Sequence, residues 1–254
     1  MKPWRAVVIA AGIFLVWEGV VLVTGAPPYI LPGPVPVARA ISSHFPLLLY
    51  HLKTTMIEII LGLMLGTVFG ISSALAMTIL PRLKAWMLPV LVISQAIPVF
   101  ALAPVLVLWM GYGMASKVAM TVLIIFFPVC SSFYSGMQRI DPELLELVRI
   151  MGGRRRAILR CIVIPSALPS FAAGMRVAAA VAPIGAVVGE WVGSSSGLGF
   201  YMLYTNGRMQ IDLMFAALAV LSAASLILYF TLDFFLDKLV FWETTKEIPN
   251  ALQT

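Results

Sequence analysis

Apolar residues run along most of the chain in blocks of about twenty or more, the length a helix needs to cross the hydrocarbon of a bilayer. The blocks fall at residues 6–24, 54–80, 86–112, 117–137, 161–192 and 213–236 and predict six transmembrane helices. Only Glu18 breaks the first block; the second carries Glu58 near its start and is ended by Pro81, Arg82 and Lys84. Residues 25–36 (GAPPYILPGPVP) are a predicted loop, because proline removes backbone donors and fixes φ. Pro89, Pro98 and Pro104 interrupt the third block. Such breaks persist in a membrane only where protein or a watery cavity satisfies the freed backbone groups. The fifth block is long enough to tilt, or to break near Pro183. Lys2 and Arg5 ahead of the first block resemble the start of a secretory signal, but five further spans favour an uncleaved first helix.

Composition agrees with this pattern. Hydrophobic residues make up 61% of the 254 and charged residues 11%, against roughly 45–50% and 25% in soluble domains. Mean hydropathy is +1.01. These values exclude an ordinary soluble enzyme, a disordered chain and a disulfide-stapled secreted domain. Cys130 and Cys161 are too few for a disulfide framework and read as small apolar fillers. His44 and His51 are too few for a histidine-rich metal site, and no cofactor is expected.

The cations set an orientation. If the N-terminus, the loop after Leu80, the polar stretch 138–160 and the C-terminus share one side, that side holds Lys2, Arg5, Arg82, Lys84, Arg139, Arg149, Arg154, Arg155, Arg156, Arg160, Lys238 and Lys246. The other side holds Arg39, Lys53, Lys117 and Arg208. The positive-inside rule then predicts that both termini and the 138–160 loop are cytoplasmic. The same bias accounts for most of the net charge of +6 and discounts nucleic acid as a partner. Contact of Arg154, Arg155 and Arg156 with anionic lipid stays open.

The polar loop has its own local logic. Asp141 is a predicted N-cap and Pro142 suits the first helical position. Glu143 and Glu146 favour the positive end of the helix dipole. Leu144, Leu147, Val148 and Met151 form one apolar stripe, and Gly152 and Gly153 stop the helix. A second short helix is predicted over residues 154–164, ending at Pro165. Two readings of this hinged pair stand on physics alone: docking of the greasy ridge into a groove on a partner, or an amphipathic loop lying on the bilayer surface.

The stretch resembles the "EAA" loop in membrane subunits of binding-protein-dependent ABC importers. Glu146 holds the Glu position, Leu147 and Val148 stand for the two alanines, and Gly152 is the glycine after a three-residue spacer. Nine residues later come Ile162, Val163, Ile164 and Pro165. The resemblance extends over residues 50–242 and is nearest to the nitrate, sulfonate, taurine and thiamine-precursor permeases, with a slight lean to the last. It is carried by Ile97–Pro98, Ala101, Pro104 and residues 108–111 in the third span and Phe127, Pro128 and Gly136 in the fourth. Leu168, Pro169, residues 174–176, Glu190 and residues 197–199 carry it in and after the fifth, and Asp212, Phe215 and Ala216 at the start of the sixth.

The resemblance implies an all-α integral membrane fold of six transmembrane helices, the type I importer permease fold, with a cytoplasmic coupling helix pair between spans four and five. It implies ATPase-coupling roles for Glu143, Glu146, Leu147, Arg149, Gly152, Gly153, Ile162 and Pro165. The implied partners are an ABC ATPase subunit, a periplasmic or lipid-anchored solute-binding protein, a second copy of the chain and membrane lipid. The expected division is 1–50 as an N-terminal helix and external loop, 51–242 as the importer transmembrane domain and 243–254 as a cytoplasmic tail. No G-x-x-x-x-G-K-[ST] phosphate loop occurs in the sequence, so ATP hydrolysis is assigned to a separate chain.

Candidate path or gate residues are Gln95 and Pro98 in the broken third span and Glu190, Gly197 and Gly199 near the external end of the fifth. Glu190 reads either as a gate carboxylate pairing transiently with Arg208, Arg176 or a partner, or as a static hydrogen bond tying the loop at Ser194 to Ser196. Residues 193–199 (GSSSGLG) read as a hinge or as a plain turn. Gly62, Gly66 and Gly70 share a helix face and predict close packing. The smooth fifth span, from Ala178 to Gly189, is a static packing surface or a moving one. Trp109 and Tyr112 are predicted interface anchors. An ion-driven secondary transporter would need intramembrane carboxylate relays, and only Glu18, Glu58 and Glu190 are available, near span ends. An intramembrane enzyme would need a catalytic constellation at depth, which neither histidine supplies.

Overall fold

The computed structural model describes residues 3–242, leaving aside the side chains of residues 3, 5–7, 9, 10, 95 and 96. Every regular element among the described residues is helical. In chain order they are α1 (Pro3–Thr24), α2 (Pro34–Ser43), α3 (Phe45–Ile79), α4 (Pro81–Ala96), α5 (Val99–Met110), α6 (Met114–Gln138), α7 (Pro142–Ile150), α8 (Arg155–Ile158), a π-helical turn (Leu159–Val163), α9 (Ile164–Gly193), α10 (Leu198–Gly207) and α11 (Ile211–Leu239).

Four segments are long and apolar enough to cross a bilayer: Phe45–Ile79, Met114–Gln138, Arg155–Gly193 and Ile211–Leu239. The bent pair α4 and α5 makes a fifth if it counts as one span. The described apolar part of the first helix, Ala11–Thr24, is shorter than a full crossing. Many large apolar side chains are exposed on these helices, among them Leu15, Val23, Leu108 and Ile227, as lipid-facing surfaces require.

Several local expectations change. The second apolar helix begins at Phe45 rather than at residue 54, which takes His51 into the helix, where it is buried. Pro34 and Pro36, expected in a loop, open α2, because proline's fixed φ suits a first helical turn. Of the three prolines in the third block only Pro98 breaks the helix. Ile97 before it is extended (φ −78°, ψ 123°), the conformation that a following proline imposes. Pro89 and Pro104 lie inside α4 and α5. α9 runs unbroken through Pro183. The helix expected to end at Pro165 instead passes through the π-helical turn directly into α9. Pro165 has no N–H to give, and the wide turn before it has already displaced the regular backbone ladder, so the ring fits without a stop. Cys130 is buried as expected, whereas Cys161 is exposed.

The chain divides into two compact units. One comprises Met1–Leu61, Phe100–Thr121 and Pro183–Leu226. Its core joins Val37 and Ala40 of α2, Leu48 of α3, Leu198 and Tyr201 of α10, and Leu213, Ala216, Ala217 and Leu221 of α11. Trp17 packs against this core and donates its indole N–H to the Pro32 carbonyl at 3.0 Å, tying α1 to the proline-rich loop. The other unit comprises Gly62–Val99, Val122–Ala182 and Ile227–Thr254. Here Gly66 and Gly70 of α3 face Ile125 and Val129 of α6 so closely that an added Cβ would stand 2.9 and 2.8 Å from their side chains. The packing expected of the glycine face is present at these two positions.

Candidate functional site

Within the first unit the start of α10 is held by side chains from α3 and α9. Gly197, at φ +108°, precedes the helix, and no side chain of its own loop caps it. Four successive amides need acceptors there, as at any helix start. Gly197 N–H donates to His51 Nδ1 (3.1 Å) and Leu198 N–H to Thr55 Oγ1 (2.8 Å). Gly199 and Phe200 N–H donate to Glu190 Oε2 (2.5 and 3.3 Å). Thr55 also donates its hydroxyl proton to Glu190 Oε1 at 2.6 Å. Glu190 is 1% exposed, so a lone carboxylate there would be costly; three hydrogen bonds, from Thr55, Gly199 and Phe200, and a helix N-terminus make the site tolerable. His51 is further fixed by stacking on Tyr201, with centroids 4.9 Å apart.

A second charged pair adjoins this cap. Lys117 Nζ of α6 lies 3.1 Å from Glu58 Oε1 of α3, both side chains buried, and Glu58 is a neighbour of Glu190. Lys117, counted in the sequence among the external cations at the start of the fourth block, is buried beside Glu58. α6 and α9 meet where glycine leaves room for backbone: an added Cβ on Gly185 would stand 2.7 Å from Thr121 Cα, and one on Gly189 3.0 Å from Lys117 Cα. The contact is tightly packed at both glycines.

Among the expected path residues, Glu190, Gly197 and Gly199 come together. Glu190 bonds the start of α10 and not the Ser194–Ser196 loop, where Ser194 bonds the Ser196 carbonyl. The suggested arginine partners are engaged elsewhere: Arg208 donates to Tyr204 Oη, and Arg176 is held by Asp233 and Asp237 of α11 at 2.5 Å each. Pro98 is exposed in the α4–α5 break, apart from this group in sequence and element. The side chain of Gln95, on α4, lies outside the described residues. Thr55, His51 and Lys117 escaped the sequence reading of this site. His51, Thr55 and Glu58 lie at spacings of four and three, one face of a helix, and that periodicity of polar residues in an apolar block was the available signal.

The α7 segment of the second unit follows its sequence closely. Asp141 accepts from Glu143 N–H at 2.9 Å, and Pro142 is the first helical residue. At the other end Gly152 has φ +84°; its N–H donates to the Arg149 carbonyl (3.0 Å) and Gly153 N–H to the Val148 carbonyl (2.9 Å). These two bonds make a Schellman stop, which needs the left-handed conformation glycine supplies. Leu144, Leu147, Ile150 and Met151 are exposed, as are Glu143, Glu146 and Arg149. Ile162 lies in the π-helical turn and Pro165 in the first turn of α9, both half-buried.

Long apolar helices and an exposed amphipathic helix in the polar loop mark a polytopic membrane protein. Residues 66–242 match the family described as binding-protein-dependent transport system inner membrane component, and the chain belongs to that family. It is 48% identical over 240 residues to a probable ABC transporter permease protein of Haemophilus influenzae, covering 94% of this chain and 97% of the relative. It is 39% identical over 211 residues to the formylaminopyrimidine transport permease protein ThiX of Halalkalibacterium halodurans, covering 83% and 84%. A chain of the MetNI methionine ABC transporter in an inward-facing form shares the fold, with a TM-score of 0.63 at 19% identity, covering 80% of this chain and 98% of that one. The chain is thus a permease subunit of an ABC importer, with the type I fold, seated in the inner membrane. It works with a solute-binding protein and with a separate ABC ATPase that hydrolyses ATP.

Proposed function

We propose that this permease imports a small pyrimidine precursor of thiamine. The 39% identity to a formylaminopyrimidine permease over 83% of the chain carries that reading. In the proposed assembly two copies form the pore around a two-fold axis. Each copy contributes six spans, α1 and the α4–α5 pair included, with both termini cytoplasmic. Residues 51–242 are the importer domain, between an N-terminal helix with its external loop and a cytoplasmic tail.

In the same reading α7 is the coupling helix. Leu144, Leu147, Ile150 and Met151 enter a cleft of the ATPase, while Glu143, Glu146 and Arg149 flank the contact. Gly152 and Gly153 set the angle to the segment carrying Ile162 and Pro165. Closure of the ATPases pushes α7 and switches the pore between inward- and outward-facing states. Pro98, Gln95 and the cap formed by Glu190, Gly197 and Gly199 border the path. The exposed apolar face on a helix stopped at both ends supports the docking role, since such a face needs a partner to leave water.

Uptake of labelled formylaminopyrimidine by cells carrying the full importer tests the substrate. Dependence on the ATPase, and a crosslink from Leu147→Cys to that subunit, test the coupling. Uptake driven by an ion gradient with the ATPase removed would refute the importer mechanism for this chain.

A further inference from the structure

Within the second unit a cavity of about 250 Å3 opens between α6 and α9, lined by Ser131, Ser132, Ser135, Arg139, Ser170 and Ala173. Its size is just below the roughly 300–1,000 Å3 of ordinary ligand pockets, enough for a solute with a single small ring. Gly136 and Gly174 shape it. An added Cβ on Gly136 would stand 2.7 Å from Ser170 Cβ, and one on Gly174 2.6 Å from Ser132 Cβ. The two helices therefore touch at Ser132 and Ser170, while Ser131, Ser135 and Arg139 line the opening.

The hydroxyls of this cavity lack the backbone bond that several others in the apolar helices make. Ser72, Thr78, Thr121 and Ser225 each donate to the carbonyl four residues back, the usual refuge of a hydroxyl in a membrane helix. Ser131, Ser132, Ser135 and Ser170 make no hydrogen bond, and Arg139 no ion pair, among the described residues. Four free hydroxyls and a guanidinium thus converge on one small space. Packing alone would be served by alanine. The arginine offers only donors, and each serine offers a donor and an acceptor.

We infer that this cavity binds a small solute rich in hydrogen-bond acceptors, with Arg139 and Ser131 as its principal donors. The inference rests on the permease reading and gives the imported solute a station on this chain. A cation is excluded by Arg139. A neutral aminopyrimidine fits through its ring nitrogens, and a sulfonate through its oxygens; both present acceptors to the same donors.

The test uses membranes carrying the full chain in a Cys161→Ser background. Ser135→Cys is introduced, and its reaction rate with a small thiol reagent is measured. Formylaminopyrimidine is the probe in one arm and taurine in the other. At about ten times its half-effect concentration, the bound solute slows labelling about tenfold, as simple occupancy dictates. Adding Arg139→Gln or Ser131→Ala raises that concentration by about tenfold, the loss of one good hydrogen bond. No slowing by either solute overturns the proposal, as does slowing that survives both substitutions unchanged. Protection by taurine alone keeps the cavity and discards the pyrimidine reading. Cellular uptake of the pyrimidine without protection keeps that reading and discards the cavity.

Discussion

Thr55 and Glu190 stand 135 residues apart in sequence and join at 2.6 Å, hydroxyl to carboxylate, at the start of a third helix that neither belongs to. Through this contact α3 and α9 together supply the acceptors that the first turn of α10 lacks. The function of the pair is positional: it fixes where α10 begins.

Replacing Glu190 by Ala strands the N–H groups of Gly199 and Phe200, while the Thr55 hydroxyl keeps the His51 carbonyl as an acceptor. The expected cost is about 2–4 kcal/mol. Glu190→Gln keeps an oxygen acceptor and should lose less. Thermal unfolding of the two purified variants in one detergent checks the order; equal losses would contradict the capping role.

Lys117 and Glu58 form a buried pair, and breaking one side leaves the other charge uncompensated. Lys117→Met should cost about 3–5 kcal/mol, and adding Glu58→Gln should recover a large part of it. A double-mutant cycle on folded yield and unfolding temperature measures this coupling. Arg176 is the contrast, since its grip on Asp233 and Asp237 is partly exposed. Arg176→Gln should cost about 1 kcal/mol or less, with an effect that shrinks further in high salt.

Gly185 faces backbone, not a flexible side-chain end. Gly185→Val therefore over-packs the α6–α9 contact by about 1–3 kcal/mol or more, and a Thr121 substitution cannot relieve it because Thr121 Cα is the obstacle. Membrane levels of the variant, with and without Thr121→Ala, decide the point.

Gly152 has open space around it but a left-handed backbone. Gly152→Ala should cost about 1–2 kcal/mol of local strain. Gly152→Pro cannot take that φ at all. It should leave insertion intact while uncoupling ATP hydrolysis from uptake. Parallel assays of membrane level, hydrolysis and transport separate these outcomes.

What could be read from sequence follows the range of the forces involved. The α7 segment was legible because its determinants are local: Asp141 caps two residues away, and Gly152 and Gly153 bond carbonyls three and five residues back. The long apolar blocks were legible because a bilayer imposes their length. The α10 cap was not, because its acceptors come from residues 51, 55 and 190 and no local pattern encodes that meeting. Glu190 was recognised as a costly carboxylate, but its partners were misjudged, since arginines are the obvious mates for a buried acid and backbone amides are invisible in a sequence. The prolines misled in one direction: Pro98 breaks its helix as expected, whereas Pro89, Pro104, Pro165 and Pro183 are absorbed within or at the start of helices.

The wide turn at Leu159–Val163 bears on how this segment can change in evolution. It stores one surplus residue between the glycine stop and Pro165. A chain shortened by one position there can tighten to ordinary α geometry and keep both flanking helices. Relatives whose spacer differs by a single residue can therefore share the same arrangement, and alignment gaps at this point need not signal a different architecture.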